Sequence, residues 1–393
     1  MTTNRPGKTS ERTVFRWLSG ENAWPQERQR IALEALSGRP ITALGFVPRN
    51  KPAVTAPDPE DPVRRRAFIT AAAAATAAAA APHVAASGRI GRADVERLYD
   101  RFAELIASDH REGGQPSVEK SAQTLADEAL ALQRTGTAGQ HVRNALYGCA
   151  ASFMSSAMWA AIDGKRFTAA QHHLDRASSL AAMSGDQSIQ FRIWSHAGSL
   201  YRHMGRPGDA LAANDVARSL AITRRDPMFA SLGHARHAAI LGLAGNATAA
   251  ERTLGHAREA LERCDPAMPR PVWITAFYGP NEIDNLATAA HLALGRFDYA
   301  EAEAHRCLAK LQPHLYRSRA IISARLARAQ LGQGDLEPAV STAMNIPLDA
   351  ARHPRVHAML TAFGDTLRAT APTSEAARTW GQYVNDHRKA TAA

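Results

Sequence analysis

The chain has 393 residues, 45% of them hydrophobic, enough for a substantial core and for two or more units. Aromatic residues are only 6% and alanine is abundant, a balance that favours helix over sheet. The net charge of +10 suits an anionic partner such as DNA, while the three scattered cysteines (Cys149, Cys264 and Cys307) exclude a disulfide framework and predict buried thiols in a reducing compartment.

The positive charge is concentrated at the start: residues 1–51 hold nine basic and four acidic side chains. Ser10 to Gly20 reads as a short helix, with Ser10 as its N-cap and Gly20 as its stop. Val14, Trp17 and Leu18 share one face, and Glu11, Arg12 and Arg16 lie on another, near the N-terminal end. That distribution suits a recognition helix, packed on one side and reaching base edges with the other. A second helix is expected over Gln26–Leu36, just after Pro25, with Ile31, Leu33 and Leu36 as its apolar positions. The segment from Gly38 to Phe46 closes the unit.

Thr9 to Phe46 resembles the C-terminal part of the helix-turn-helix of Xre/Cro-like transcriptional regulators of actinomycetes. The likeness rests on Ser10, Val14, Trp17 and Gly20 in the first helix, on the proline behind it, and on the Gly38-Arg39-Pro40-Ile41-Thr42-Ala43-Leu44-Gly45 close. It implies that Glu11, Arg12 and Arg16 face bases and that Ser10 contacts the DNA backbone. That fold places two helices ahead of the recognition helix, and only nine residues precede Ser10. Residues 1–48 are therefore expected to be a partial helix-turn-helix. The alternative is a basic helix packed on the rest of the chain.

Residues 49–92 read as a linker. Val47 to Pro62 is rich in proline and charge. Arg64-Arg65-Arg66-Ala67-Phe68-Ile69 follows, with an Ala/Thr run to Ala81. The arginines and the alanine run are similar to a twin-arginine export signal. The same combination resembles the Ala-rich linker of the regulators just named. The run is too short and too weakly apolar to span a bilayer, so a marginal helix joining two parts is expected, and no membrane association.

From residue 93 to residue 390 the chain repeats itself. A Gly-x4-Ala step occurs at Gly164–Ala169, Gly205–Ala210, Gly245–Ala250, Gly295–Ala300 and Gly334–Ala339, with glycines 41, 40, 50 and 39 residues apart. Glycine ends one helix in the left-handed conformation. Phe167, Phe297 or Leu336 then anchors the turn, and the small alanine lets the next helix cross closely. After helices at Ala93–Ala107 and Glu119–Arg134, the expected pairs are Gln140–Ile162 with Thr168–Met183, Ile189–Met204 with Asp209–Thr223, and Ala230–Leu243 with Thr248–Arg263. They continue as Pro280–Leu294 with Tyr299–Leu311, Ser318–Leu331 with Leu336–Met344, and a capping pair, Pro354–Arg368 with Thr373–His387. Small residues mid-helix, such as Ala197-Gly198 and Ala289-Ala290, suit a tightly packed inner row. The pattern resembles tetratricopeptide repeats, somewhat elongated. The expected fold is all-α: a short helix-turn-helix remnant plus a right-handed α-solenoid of tetratricopeptide-like helix pairs.

Nothing in the sequence points to catalysis. It contains no HExxH, CxxC, GxGxxG, GxxxxGK[ST] or GxSxG pattern, so no metal, cofactor or nucleophile is expected. His172, His173, His234 and His237 read as ordinary helix histidines. A ligand groove is expected instead at Asn281, Glu282 and Asn285, at i, i+1 and i+4 on one first helix, with Arg319 and Arg325 on the next. Amides pair with peptide backbone and arginines with carboxylates. The alternative for each is an inter-helix hydrogen bond or plain surface charge. The leading expectation is a cytoplasmic DNA-binding transcriptional regulator whose repeats sense a peptide or small ligand or bind a protein partner, acting as a homodimer. The alternatives are an interaction scaffold that does not bind DNA, and an exported repeat protein.

Overall fold

The computed structural model describes residues 25–37, 40–44, 46, 89–312 and 314–392. The chain divides into two compact units, residues 1–83 and 84–393. In the first, α1 (Glu27–Ser37) is followed by a 3-10 turn (Ile41–Leu44). Glu34 Oε1 accepts a hydrogen bond from the Ile41 amide at 2.7 Å, which ties turn to helix across the Gly38-Arg39-Pro40 break. Ile41 is buried, but Ile31 is 60% exposed and is not one of the packed positions expected of it. The expected helix at Ser10–Gly20, the linker run and the twin-arginine motif lie outside the described residues.

The second unit is all-α. Among its described residues there is no strand, only one parallel bridge between Arg89 and Thr137. It opens with α2 (Arg92–Glu112) and α3 (Pro116–Thr135), then runs as helix pairs. These are α4 (Gln140–Asp163) with α5 (Phe167–Ser184), α6 (Gln187–His203) with α7 (Pro207–Ser219), and, after the short α8 (Ala221–Arg225), α9 (Pro227–Leu243) with α10 (Ala247–Glu262). A short α11 (Val272–Thr275) precedes α12 (Pro280–Ala293) with α13 (Phe297–Lys310) and α14 (Tyr316–Gln333) with α15 (Leu336–Met344). The short α16 (Leu348–Ala351) leads to α17 (Pro354–Thr370) with α18 (Glu375–Ala392). The first helices α4, α6, α9, α12, α14 and α17 pack in succession as one row, and each also packs against its partner.

The repeated turn has one geometry. Gly205, Gly245, Gly295 and Gly334 are all left-handed, with φ between 69° and 93°. The amide after each donates to the carbonyl five residues before it, at 2.9–3.0 Å, which satisfies a carbonyl the helix end leaves free. Five residues past each glycine, Ala210, Ala250, Ala300 and Ala339 are completely or almost completely buried. The first copy is a correction. Its left-handed residue is Lys165 (φ 58°) instead of Gly164, and its buried alanine is Ala170 instead of Ala169. The whole step sits one residue later, because Gly164 is used for something else: a Cβ there would meet the Gly114 carbonyl at 2.5 Å. Counted from Lys165, the first two spacings become equal.

Two further departures have local causes. The helix expected at Asp209–Thr223 breaks at Leu220, whose backbone is extended (ψ 143°). Thr223 Oγ1 and Arg224 Nη1 donate to the Arg218 and Ser219 carbonyls, at 2.9 and 3.2 Å, in place of helical amides. The 50-residue spacing accommodates α11, whose Trp273 and Ile274 are buried. Arg270 fixes this insertion by a paired hydrogen bond to Asp226, at 2.8 and 3.0 Å. Close crossing in the inner row depends on small residues: a Cβ on Gly242 of α9 would stand 2.7 Å from the backbone of Ala290 in α12.

Two stability changes follow from these backbones. Lys165→Gly should raise stability by about 0.5–1 kcal/mol, since it relieves a left-handed lysine. Gly242→Ala should cost about 1–3 kcal/mol by forcing α9 and α12 apart. Urea denaturation followed by helical circular dichroism measures both.

A candidate ligand cavity

The inner row does not stay open. The C-terminal end of α4 meets the starts of α14 and α17, and α2 touches both α11 and α14. Asp163, the last residue of α4, is 2% exposed at this junction. It accepts from Arg317 Nη1 at 2.8 Å and from Arg355 Nη1 at 3.2 Å. His353 Nδ1 accepts from the Arg355 amide, so the imidazole proton sits on Nε2. That Nε2 lies 2.7 Å from the Gly113 carbonyl and 3.2 Å from Asp163 Oδ2. Burial alone would push the Asp163 carboxyl up, but the His353 hydrogen bond and the two guanidiniums outweigh it and hold it well below the usual carboxylate range.

The closed row surrounds a cavity of 290 Å³, just below the size range of small-molecule sites, roughly 300–1,000 Å³. Every first helix reaches it, as do α2 and α11. Six arginines and three carboxylates line it among the described residues. Asp163 occupies Arg317 and Arg355. Arg192, Arg202, Arg236 and Arg325 form no ion pair with a described carboxylate.

These four are held by neutral groups. Arg192 donates to the Ser152 carbonyl and to Ser156 Oγ, both at 2.9 Å. Arg236 donates to Ser195 Oγ at 2.7 Å, and Arg202 lies 3.2 Å from His203 Nε2. Arg325 donates to the Asn285 carbonyl at 2.7 Å. Aromatic rings flank two of them: Arg192 sits 5.6 Å from the Trp273 ring, and Arg236 5.8 Å from Trp159 and 5.9 Å from Phe277. Desolvation pushes Arg192 and Arg325 down to about 9 and Arg202 and Arg236 to about 10, so all four remain cationic at neutral pH. Burial and the same guanidiniums drive His196 well below its usual range, leaving it neutral. Asp109 is shifted upward by burial, toward its uncharged form.

No protein-family model and no curated protein matches the chain.

Of the residues expected from sequence to bind a ligand, Asn281, Glu282, Asn285 and Arg325 line this cavity. Asn285 Nδ2 donates to Glu282 Oε2 at 2.8 Å, and Cys307 donates its thiol to the Asn281 carbonyl at 3.0 Å. Arg319 lies off the cavity wall, and its guanidinium donates to the Leu311 carbonyl at 3.2 Å. Ser10, Glu11, Arg12 and Arg16 lie outside the described residues. Sequence reasoning missed Arg192, Arg202, Arg236, Trp159 and Trp273. A signal for some of them existed: Ser152, Ser156, Trp159 and Asp163, and then Arg192, His196, Ser199 and His203, recur at helical spacing on otherwise apolar helices.

Of the histidines read as ordinary, His172 is exposed and His234 Nδ1 is buried without a hydrogen-bond partner, while two are held within the fold. His173 bonds Glu119 at 2.7 Å, and His237 lies 3.2 Å from Asn214 Nδ2. Among the described residues no cluster of three or more ligating side chains is placed to hold a metal. Cys149, Cys264 and Cys307 are unpaired, and burial pushes the Cys149 and Cys307 thiols up to about 12. Helix α4 is long and apolar enough to cross a membrane, but 83% of its apolar stretch is buried against its neighbours.

Asp163→Ala should cost about 3–5 kcal/mol in urea denaturation, because it strands two guanidiniums at a buried junction. The pH dependence has a defined sign. The Asp163 carboxyl titrates lower folded than unfolded, so its contribution is complete above the unfolded value near 3.8 and is lost as pH falls from there toward the folded value. The stability advantage of the natural chain over Asp163→Asn should therefore shrink steadily as pH is lowered from about 5 to about 2.

Proposed function

We propose that this protein is a cytoplasmic DNA-binding transcriptional regulator of the Xre type, whose helical repeats, tetratricopeptide-like in their turns, sense a small ligand or peptide. The central cavity carries the reading: every inner helix contributes to one pocket, and four arginines enter it with no ion-pair partner among the described carboxylates. The resemblance of residues 9–46 to the regulators supports the DNA-binding half, as does the basic start of the chain. Unpaired thiols suit a reducing compartment.

The coupling is thermodynamic. A ligand that prefers one arrangement of the inner row biases the protein toward it by its difference in affinity. In a homodimer such a shift changes the spacing of two DNA-reading helices, and with it operator affinity.

The test is selection of DNA from a random duplex pool by the full chain, followed by anisotropy titration on the selected sequence. Binding should weaken steeply as salt rises. Arg12→Ala or Arg16→Ala should cost about 1–3 kcal/mol and relax the selected sequence. A chain that enriches no sequence, or variants that bind as the parent does, would count for an interaction scaffold.

A further inference from the structure

We propose that the cavity binds a small organic oxyanion, a carboxylate or phosphate on a flat apolar body. This rests on the reading of the cavity as the sensor site and names the chemistry it takes.

Charge and hydrogen bonding point the same way. Beyond the Asp163 clasp, Arg192, Arg202, Arg236 and Arg325 face only Glu282 and Asp109, and burial moves Asp109 toward its neutral form. Four buried guanidiniums share these two carboxylates, so much of their desolvation penalty stands, and a bound anion relieves it. Among the described residues of the wall, two donors are buried and unanswered, Arg192 Nε and Trp273 Nε1, whose residues are 4% and 3% exposed, against one acceptor, Asp109 Oδ1. Unsatisfied buried donors are costly, and both belong to residues that line the cavity. The Arg192 guanidinium lies 5.6 Å from the Trp273 ring, so the cationic charge and both unanswered donors belong to neighbouring side chains of the cavity wall.

The rest of the wall fits a flat apolar body. Trp159 and Phe277 flank Arg236, and Leu286, Ile321 and Ile322 are among the other apolar residues of the wall. A guanidinium beside an aromatic face, rather than bonded to a carboxylate, keeps its outward N–H groups free for a ligand. The volume of 290 Å³ suits a small molecule better than a folded partner.

Isothermal titration of the full chain with 1-naphthyl phosphate, 1-naphthoate and neutral 1-naphthamide tests this directly. At least one anion should bind once per chain, roughly tenfold or more tighter than the amide. The tighter of the two identifies the head group. Arg202→Gln should weaken the anions roughly tenfold and leave the amide unchanged. Glu282→Gln should tighten them, a gain that misfolding cannot produce. An amide that binds as well as both anions, or a Glu282→Gln variant with unchanged or weaker anion binding, overturns the charge assignment and leaves the sensor site standing. No binding by any of the three overturns the assignment and the reading of the cavity as a sensor together. DNA binding, read separately, is untouched by either result.

Discussion

One buried carboxylate joins the first and last parts of the row of helices. Asp163 is almost fully buried, and burying a charge is expensive unless it is paired and hydrogen-bonded. Here it is answered from two directions, by Arg317 at the start of α14 and Arg355 at the start of α17, while His353 bridges it to Gly113. Much of the local backbone is shaped to allow this. Gly114 takes a left-handed turn with φ 76°, where a Cβ would lie 2.7 Å from His353 Nε2. Gly164 is kept free of a side chain by the Gly114 carbonyl, and Lys165 takes the strained turn that a glycine takes in the later copies. A displaced turn, a strained lysine and a two-glycine loop share one cause.

The clasp also separates two populations of arginine. Arg317 and Arg355 are spent on structure. Arg192, Arg202, Arg236 and Arg325 are held in place by carbonyls, hydroxyls, a histidine and aromatic rings, which orient a guanidinium without neutralising it. The fold therefore tolerates an excess of positive charge in its interior, at a cost to stability borne by the dense alanine and leucine packing between the helix pairs.

The helix pairs were legible in the sequence because their turns repeat. The left-handed glycine and the buried alanine five residues later are local requirements, and local requirements leave a periodic trace. Pro280–Ala293 and Leu336–Met344 fell almost where the pattern put them. What was not legible depends on contacts distant in sequence. Nothing near Gly164 reveals that Gly114 packs on it, so the first turn was placed one residue early. A buried arginine in a helix looks like a surface arginine until its neighbours are known, and Arg192 and Arg236 were passed over for that reason. Asn281, Glu282, Asn285 and Arg325 were found because amides and a charge clustered on adjoining helices. Arg319 shares a helix with Arg325, yet its guanidinium turns back to the Leu311 carbonyl. The irregular 50-residue spacing was visible and went unread, although its extra residues bring Trp273 to the cavity.

Open repeat arrays hold together through nearest neighbours alone, so they fray from the ends and tolerate losing terminal units. The Asp163 contacts span 154 and 192 residues of chain. With them in place, loosening α17 also removes support from α4 and from the loop at Gly113. The terminal helices thus share in the global cooperativity of the unit, and the array melts more as one body than as a string of independent turns.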